Sequence, residues 1–153
     1  MAKQDVHLLL PFLEPFDSGK RDLVLWLRDF AWDLCPTANE LIYDNYNAVA
    51  LGWSPTDRQS HTACTLSIGR TSMNVLFGFY WGTSLQDPNK VLRGGGNQFR
   101  SILVTDLNTF PKRAAEQLVH EAYTLSLSKV KDPRQLIEGQ TIVKSISANK
   151  RVK

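Results

Sequence analysis

The stretch Glu40-Leu-Ile-Tyr-Asp-Asn-Tyr-Asn-Ala-Val-Ala-Leu-Gly-Trp-Ser-Pro-Thr-Asp57 decides the fold class, because a helical pattern gives way to a β pattern there. Residues 40–53 are rich in Tyr, Val and Leu, which favour strands, and residues 54–57 have turn chemistry. The stretch therefore predicts a first strand over 40–53 and a hairpin turn into a second strand over 62–69.

Downstream of this hairpin the pattern continues as strands and then changes to a helix. Residues 75–81 predict a strongly aromatic third strand, and residues 99–105 predict a fourth. From Pro111 to about Lys129, apolar residues recur at helical spacing. Residues 141–146 fit either a late strand or a tail, and the sequence does not choose between them.

Upstream of the hairpin the sequence predicts an amphipathic helix. Asp17 or Ser18 can cap it, it runs from near Lys20 to about Leu34, and Pro36 stops it. One stripe of this helix faces a core, while Leu25 and Trp32 point away from it. Their cover would come from residues 5–16, from the C-terminal segment or from a dimer partner. Arg21 and Arg28 are predicted on the outer surface.

The order of elements predicts an α+β fold. We expect a two-layer sandwich, in which an antiparallel β-meander of about four to five strands carries helices packed on one face. A single domain is expected over residues 1–131, followed by a C-terminal extension, 132–153, that ends in a basic tail.

Composition and charge limit the possible partners. With 153 residues, 42% hydrophobic and 22% charged, the chain has the size and composition of one globular domain. Its formal charge is +3, but four of its 18 basic residues lie in the acid-free last segment, and the other 14 are balanced by 15 acids. This distribution argues against nucleic-acid binding.

Two features predict a cytoplasmic protein. The apolar run Leu8–Leu13 is too short and too interrupted by proline for a membrane span, and it lacks the features of a signal peptide. Cys35 and Cys64 form neither a CxxC pair nor a disulfide framework, as expected for reduced thiols in a core.

The triple glycine in Val91-Leu-Arg-Gly-Gly-Gly-Asn-Gln-Phe-Arg100 matches neither a Walker loop nor a dinucleotide fingerprint, and a strand follows it. A turn or bulge is the simpler interpretation. The alternative is an anion site, because a meander brings the loop after strand one and the loop before strand four to the same end. Its candidate residues are Trp53, Arg58, His61, Trp81, Arg93, Gly94, Gly95, Gly96 and Arg100.

The run 40–57 resembles the first strand and turn of the YdhG-like family. Residues 82–88 and 92–100 are similar to the later loop and strand of that family, and the resemblance covers about residues 20–128. It implies an α+β domain, and it leaves activity open because most relatives have none assigned.

Some YdhG-like relatives are described as frataxin-like iron chaperones. The resemblance therefore implies Fe²⁺ as an alternative ligand, with Asp22, Asp29 and Asp33 on one flank of the first long helix as its holders. A solvated helix face is the competing interpretation, and it is favoured because carboxylates are sparse elsewhere on that helix.

No catalytic motif stands out. His61 and Cys64 fall on opposite strand faces and lack two further zinc ligands, and Ser126-Leu-Ser-Lys129 lacks the companion motifs of SxxK enzymes.

The aromatic third strand has large side chains on both faces. One face could bind a ligand, a protein partner or a second copy in a homodimer, although core packing alone also explains it. We expect a non-catalytic binding module for a small anion or a protein partner, with iron handling or an unrecognised enzyme site at the arginine end as alternatives.

Overall fold

The computed structural model describes residues 6–152. Helix α1 spans Leu10–Leu13, and helix α2 spans Ser18–Leu34. The prediction for α2 is confirmed, because the Asp17 carboxylate accepts a hydrogen bond from the Lys20 backbone N–H at 2.9 Å and the helix ends before Pro36. Trp32 is buried within the chain, in one core with Leu9 and Leu13 from the N-terminal segment.

The run 40–53 is not one strand. It forms two strands, β1 (Asn39–Asp44) and β2 (Ala48–Ser54), which pair antiparallel across a tight turn closed by the Asn45 N–H and the Ala48 carbonyl at 2.9 Å. The prediction of a single strand was wrong at this point. Asp44, Asn45 and Asn47 are residues that tight turns favour, and the high β propensity on both sides of them hid that signal.

The sheet has six strands in the order β5-β4-β3-β2-β1-β6. Strands β3 (Cys64–Gly69), β4 (Val75–Phe79) and β5 (Arg100–Val104) continue the antiparallel meander. Helix α3 (Lys112–Ser128) follows, and β6 (Thr141–Ile146) then pairs parallel to β1 at the far edge. Residues 141–146 are therefore a strand of the sheet.

Both long helices cover the same face of the sheet, so the two-layer α+β sandwich is confirmed. The cross-strand row on that face is buried throughout and consists of Ile42, Leu51, Leu66, Phe77 and Ile102. Phe30 of α2 and Phe110 before α3 meet Phe77 edge to face at 5.9 and 5.8 Å. The core therefore lies between the helices and the sheet. Neither long helix covers the opposite face, where loop side chains shield Leu41, Gly52 and Gly78.

A buried ion pair joins the two layers. Glu40 on β1 accepts from Arg28 Nε at 2.6 Å and from Arg28 Nη2 at 3.1 Å, and its carboxylate also accepts from Thr141 Oγ1 on β6 at 3.0 Å. The predicted outer-surface position of Arg28 was wrong, because its guanidinium faces this carboxylate and packs 5.1 Å from the Trp32 ring centroid.

The basic C-terminal segment is docked on the β1–β2 turn. The Lys150 ammonium pairs with the Asp44 carboxylate at 2.9 Å, and Arg70 pairs with the same carboxylate. The Arg151 backbone N–H donates to the Tyr46 carbonyl at 2.9 Å. Most of the segment predicted as a basic tail is therefore attached to the sheet, and Lys153 lies outside the described residues.

Among residues 6–152, no helix combines the length and apolar character that crossing a bilayer requires.

Candidate functional site

Two loops meet at one end of the sheet. The register Trp53–Cys64–Phe79–Arg100 places the loop after β2 beside the segment between β4 and β5. The Tyr80 N–H donates to the Ala63 carbonyl at 3.2 Å, and Trp81 Nε1 donates to the Ser60 carbonyl at 3.2 Å. The loop 55–63 is therefore fixed against the end of β4.

A groove of about 470 Å³ opens on the uncovered side of the sheet next to loop 55–63. We call it the open-face groove, and its lining residues are Tyr43, Asp57, Arg58, Gln59, Ser60, Tyr80 and Lys144. Tyr43 reaches it because it alternates with core-facing Ile42 along β1. Lys144 comes from β6, where its ammonium donates to the Asp57 carbonyl at 2.7 Å.

A hydrogen-bond network inside the loop fixes the backbone at Arg58. The Arg58 N–H donates to Thr56 Oγ1 at 3.1 Å, and the Thr56 N–H donates to Ser54 Oγ at 3.1 Å. Thr56 Oγ1 lies 2.7 Å from Nδ1 of His61. Because these polar groups are buried and paired, the loop presents Arg58 from a rigid base.

His61 supports the loop from inside and does not line the groove. Its ring is buried, bonded on one side to Thr56, with a further hydrogen bond to the backbone of Lys129 at the end of α3. Burial, and next the positive charge of Arg58, lower the pKa of His61 below its ordinary value. In this position the ring holds the loop from inside, and its predicted role in ligand binding stays a prediction.

The two tyrosines give the groove an aromatic wall. The Tyr43 hydroxyl has no hydrogen-bond partner within residues 6–152, although it is buried. Burial, and next the neighbouring Tyr80, raise the pKa of Tyr43 above its ordinary value. Tyr80 packs edge to face against Trp81, with ring centroids 5.2 Å apart. The Lys129 ammonium lies 3.9 Å from the Trp81 ring centroid. Trp81 does not line the groove, and it supports Tyr80 through the edge-to-face contact of their rings.

The arginines of the triple-glycine loop bind their own loop. Arg93 and Ser101 exchange backbone hydrogen bonds at 2.8 and 2.9 Å, and Arg93 Nη1 donates to the Lys90 and Leu92 carbonyls at 2.6 and 3.0 Å. Arg100 Nη1 donates to the Gly96 and Phe99 carbonyls at 2.5 and 2.7 Å. The segment is a turn closed by arginine side chains, and these residues do not line the open-face groove.

Of the three glycines at 94–96, Gly94 is the one whose backbone conformation favours glycine. Gly94 has φ +141°, a region that residues with a Cβ rarely adopt, and a Cβ there would lie 3.2 Å from Arg100 Cδ. Gly95 and Gly96 have open space around the position of a Cβ. The loop therefore needs glycine at Gly94 for its bend, as the turn interpretation expects.

Trp53 is not available to a ligand. Its side chain is fully buried on the helix-covered face, where its register partners are Glu40 and Cys64. The alternation along β2 directs its side chain into the core, away from the loop-end surface at which it was predicted to meet a ligand.

The carboxylates Asp22, Asp29 and Asp33 are exposed along α2. Across residues 6–152, no three His, Cys, Asp or Glu side chains come close enough together to hold a metal ion. Asp22 lies in a separate cavity with Leu23, Trp26 and Leu107. No observation on the described chain favours the iron alternative.

Sequence reasoning found Arg58 but did not assign Tyr43, Tyr80 or Lys144 to its site. Tyr80 belongs to the predicted aromatic third strand, in which strand alternation directs it to the face away from Phe77 and Phe79. Tyr43 belongs to the predicted first strand. Lys144 had no local signal, because only the parallel pairing of β6 with β1 brings it to the groove.

No protein-family model, curated protein or solved structure matches this chain. The resemblance to the YdhG-like family therefore stays a prediction.

Proposed function

We propose that this chain is a non-catalytic binding module that takes a small anionic ligand into the open-face groove. The observation that carries this proposal is the Arg58 guanidinium, which forms no ion pair and no hydrogen bond with any side chain or carbonyl of residues 6–152 while it lines the groove. An arginine offers five N–H donors in a fixed fork that suits carboxylate and phosphate oxygens.

The rest of the groove supports the same function. The groove is also lined by the aromatic rings of Tyr43 and Tyr80, which offer apolar contact area to the body of a ligand. The volume of about 470 Å³ lies within the range of small-molecule sites, about 300–1,000 Å³. The network of Thr56 and His61 fixes the backbone from which the Arg58 side chain extends into the groove, which reduces the loop entropy lost on binding.

We place this module in the cytoplasm, because two free buried cysteines are typical of proteins kept in a reducing compartment.

The test is a thermal-shift and calorimetric titration of the full chain with benzoate and with inorganic phosphate. An anion that binds the folded state raises the melting temperature by mass action. The variant Arg58→Gln should weaken binding about tenfold, as expected for the loss of a charge-assisted hydrogen bond. Arg93→Gln is the matched control, because its guanidinium is occupied by loop carbonyls, and it should bind like the wild type. The proposal is wrong if neither anion binds, or if both variants weaken binding equally.

A further inference from the structure

The lining of the open-face groove carries an excess of positive charge. Arg58 and Lys144 are positive and Asp57 is negative, which leaves one net positive charge. We propose, resting on the function proposed above, that the ligand is a phosphate monoester carried on a flat ring. Its dianion binds more tightly than a singly charged anion of the same shape, because the excess charge attracts the second negative charge.

The two cations reach the groove from different elements. The Lys144 ammonium, on β6, donates to the Asp57 carbonyl at 2.7 Å. That carbonyl belongs to the peptide bond between Asp57 and Arg58, so the ammonium lies beside the backbone from which the Arg58 side chain extends. An ammonium has three N–H donors, and this is its one hydrogen bond within residues 6–152. Lys144 therefore has donors left for a phosphate that Arg58 binds, and both residue types commonly bind phosphate oxygens.

The Asp57 carboxylate reduces the positive charge of the groove without cancelling it. The Lys144 ammonium is held beside Asp57, so these two charges offset each other and the charge of Arg58 stays unbalanced. A phosphate monoester carries a charge of about −2 above pH 7, whereas a sulfate monoester of the same shape is singly charged. One extra pair of opposite charges, about 6 Å apart at a surface in contact with water, changes affinity by about threefold at low salt and by less as salt is added.

The aromatic wall of the groove accounts for the ring of the ligand. Tyr43 and Tyr80 line the groove, and Tyr80 packs edge to face against Trp81 with ring centroids 5.2 Å apart. Trp81 is itself held through its indole N–H by the Ser60 carbonyl and across its ring by the Lys129 ammonium. A wall supported in this way favours a flat ring, so phenyl phosphate should bind about three- to tenfold more tightly than methyl phosphate.

The experiment is calorimetry on the full chain at low salt and pH 8 with phenyl phosphate, phenyl sulfate and methyl phosphate. We expect the wild type to prefer phenyl phosphate over phenyl sulfate about threefold. Lys144→Gln lowers the net charge of the lining to zero and should abolish the preference, while its amide can still donate to the Asp57 carbonyl. Asp57→Asn raises the net charge and should increase the preference to about tenfold.

Arg113→Gln is the matched control. It removes one positive charge from an exposed position on α3, in the helix layer on the other side of the sheet, and should keep the preference of the wild type. Uridine monophosphate, added as a fourth probe, separates two sources of the ring. Tighter binding than phenyl phosphate assigns the site to nucleoside phosphates, and weaker binding assigns it to aryl phosphates.

The outcomes separate this inference from the function on which it rests. If phenyl phosphate and phenyl sulfate bind the wild type equally while Arg58→Gln still weakens both, the inference is wrong and the anion-binding function stands. The same holds if Lys144→Gln and Asp57→Asn do not move the preference in opposite directions, or if methyl phosphate binds as tightly as phenyl phosphate. If none of the probes binds, both proposals fail together.

Discussion

Arg28 on α2 and Glu40 on β1 form a buried two-point ion pair, with Nε–Oε2 at 2.6 Å and Nη2–Oε1 at 3.1 Å. Removing one partner leaves the other charge in the core. We expect Arg28→Met to lower the free energy of unfolding by about 3–5 kcal/mol. Urea denaturation at pH 7 measures this loss.

The same ion pair provides its own controls. Arg21→Met, at the neighbouring arginine of α2 that is only half-buried, should change the free energy of unfolding by at most about 0.5 kcal/mol. The double variant Arg28→Met with Glu40→Leu should recover most of the loss, because no charge is then left unpaired. If Arg28→Met and Arg21→Met have equal effects, the ion pair does not contribute as described.

The three glycines of the loop should differ on substitution. Gly94→Ala forces a Cβ into φ +141° beside Arg100 and should cost about 1–2 kcal/mol of unfolding free energy. Gly95→Ala meets open space and should be neutral or stabilising by about 0.4–1 kcal/mol through its effect on the unfolded chain. Chemical denaturation of the two variants, side by side, measures the difference. Equal destabilisation would show that the loop has another requirement for glycine.

His61 should make folding sensitive to mild acid. Its folded-state pKa is lowered, chiefly by burial, so the unfolded chain takes up a proton near pH 6.5 and the folded chain does so only at lower pH. The stability that depends on the neutral ring is therefore present above about pH 6.5 and is lost as the pH falls. Urea midpoints from pH 8 to 5 should fall more steeply for the wild type than for His61→Gln. The exposed His120→Gln should follow the wild type, and identical slopes for all three proteins would contradict this prediction.

The two cysteines should be unreactive while the chain is folded. A hydrogen bond with the Cys35 thiol, and next burial, raise the pKa of the Cys64 thiol well above its ordinary value. Ellman's reagent should therefore label the thiols only after unfolding. Unfolded thiols ionise near pH 8.5, so the stability that depends on protonated Cys64 is complete below that pH and is lost above it. The urea midpoint should fall from pH 8 to 9.5, and less so in Cys64→Ala. Rapid labelling of the native protein would refute the buried arrangement.

The sequence predicted those features that depend on neighbouring residues, such as the two ends of α2. Asp17 and Pro36 define the ends of α2, and both are visible in the sequence. The β1–β2 turn was missed because residues 45–47 lie between two runs of high β propensity. The burial of Arg28 could not be predicted from helical periodicity, since it depends on Glu40 across the layer interface.

The candidate site could be predicted only in part, because it too depends on contacts between residues that are distant in the sequence. Arg58 and the adjacency of the loops follow from meander topology, which the sequence pattern indicates. The choice of Arg58 over Arg93 depends on whether each guanidinium reaches nearby carbonyls, and no sequence pattern records that. Lys144 depends on a parallel pairing between segments about a hundred positions apart.

The position of β6 beside β1 implies an order of folding events. Strands β1 to β5 pair with their neighbours in sequence, so these pairings close loops of at most about twenty residues, at a smaller entropic cost than the β1–β6 pairing. The β1–β6 pairing closes the longest loop of the sheet and is the contact that sequence separation slows most. We expect the meander to assemble first and β6 to add last, bringing Thr141 to Glu40 and Lys144 to Asp57. The open-face groove would then acquire its second cation only when the final pairing of the sheet is complete.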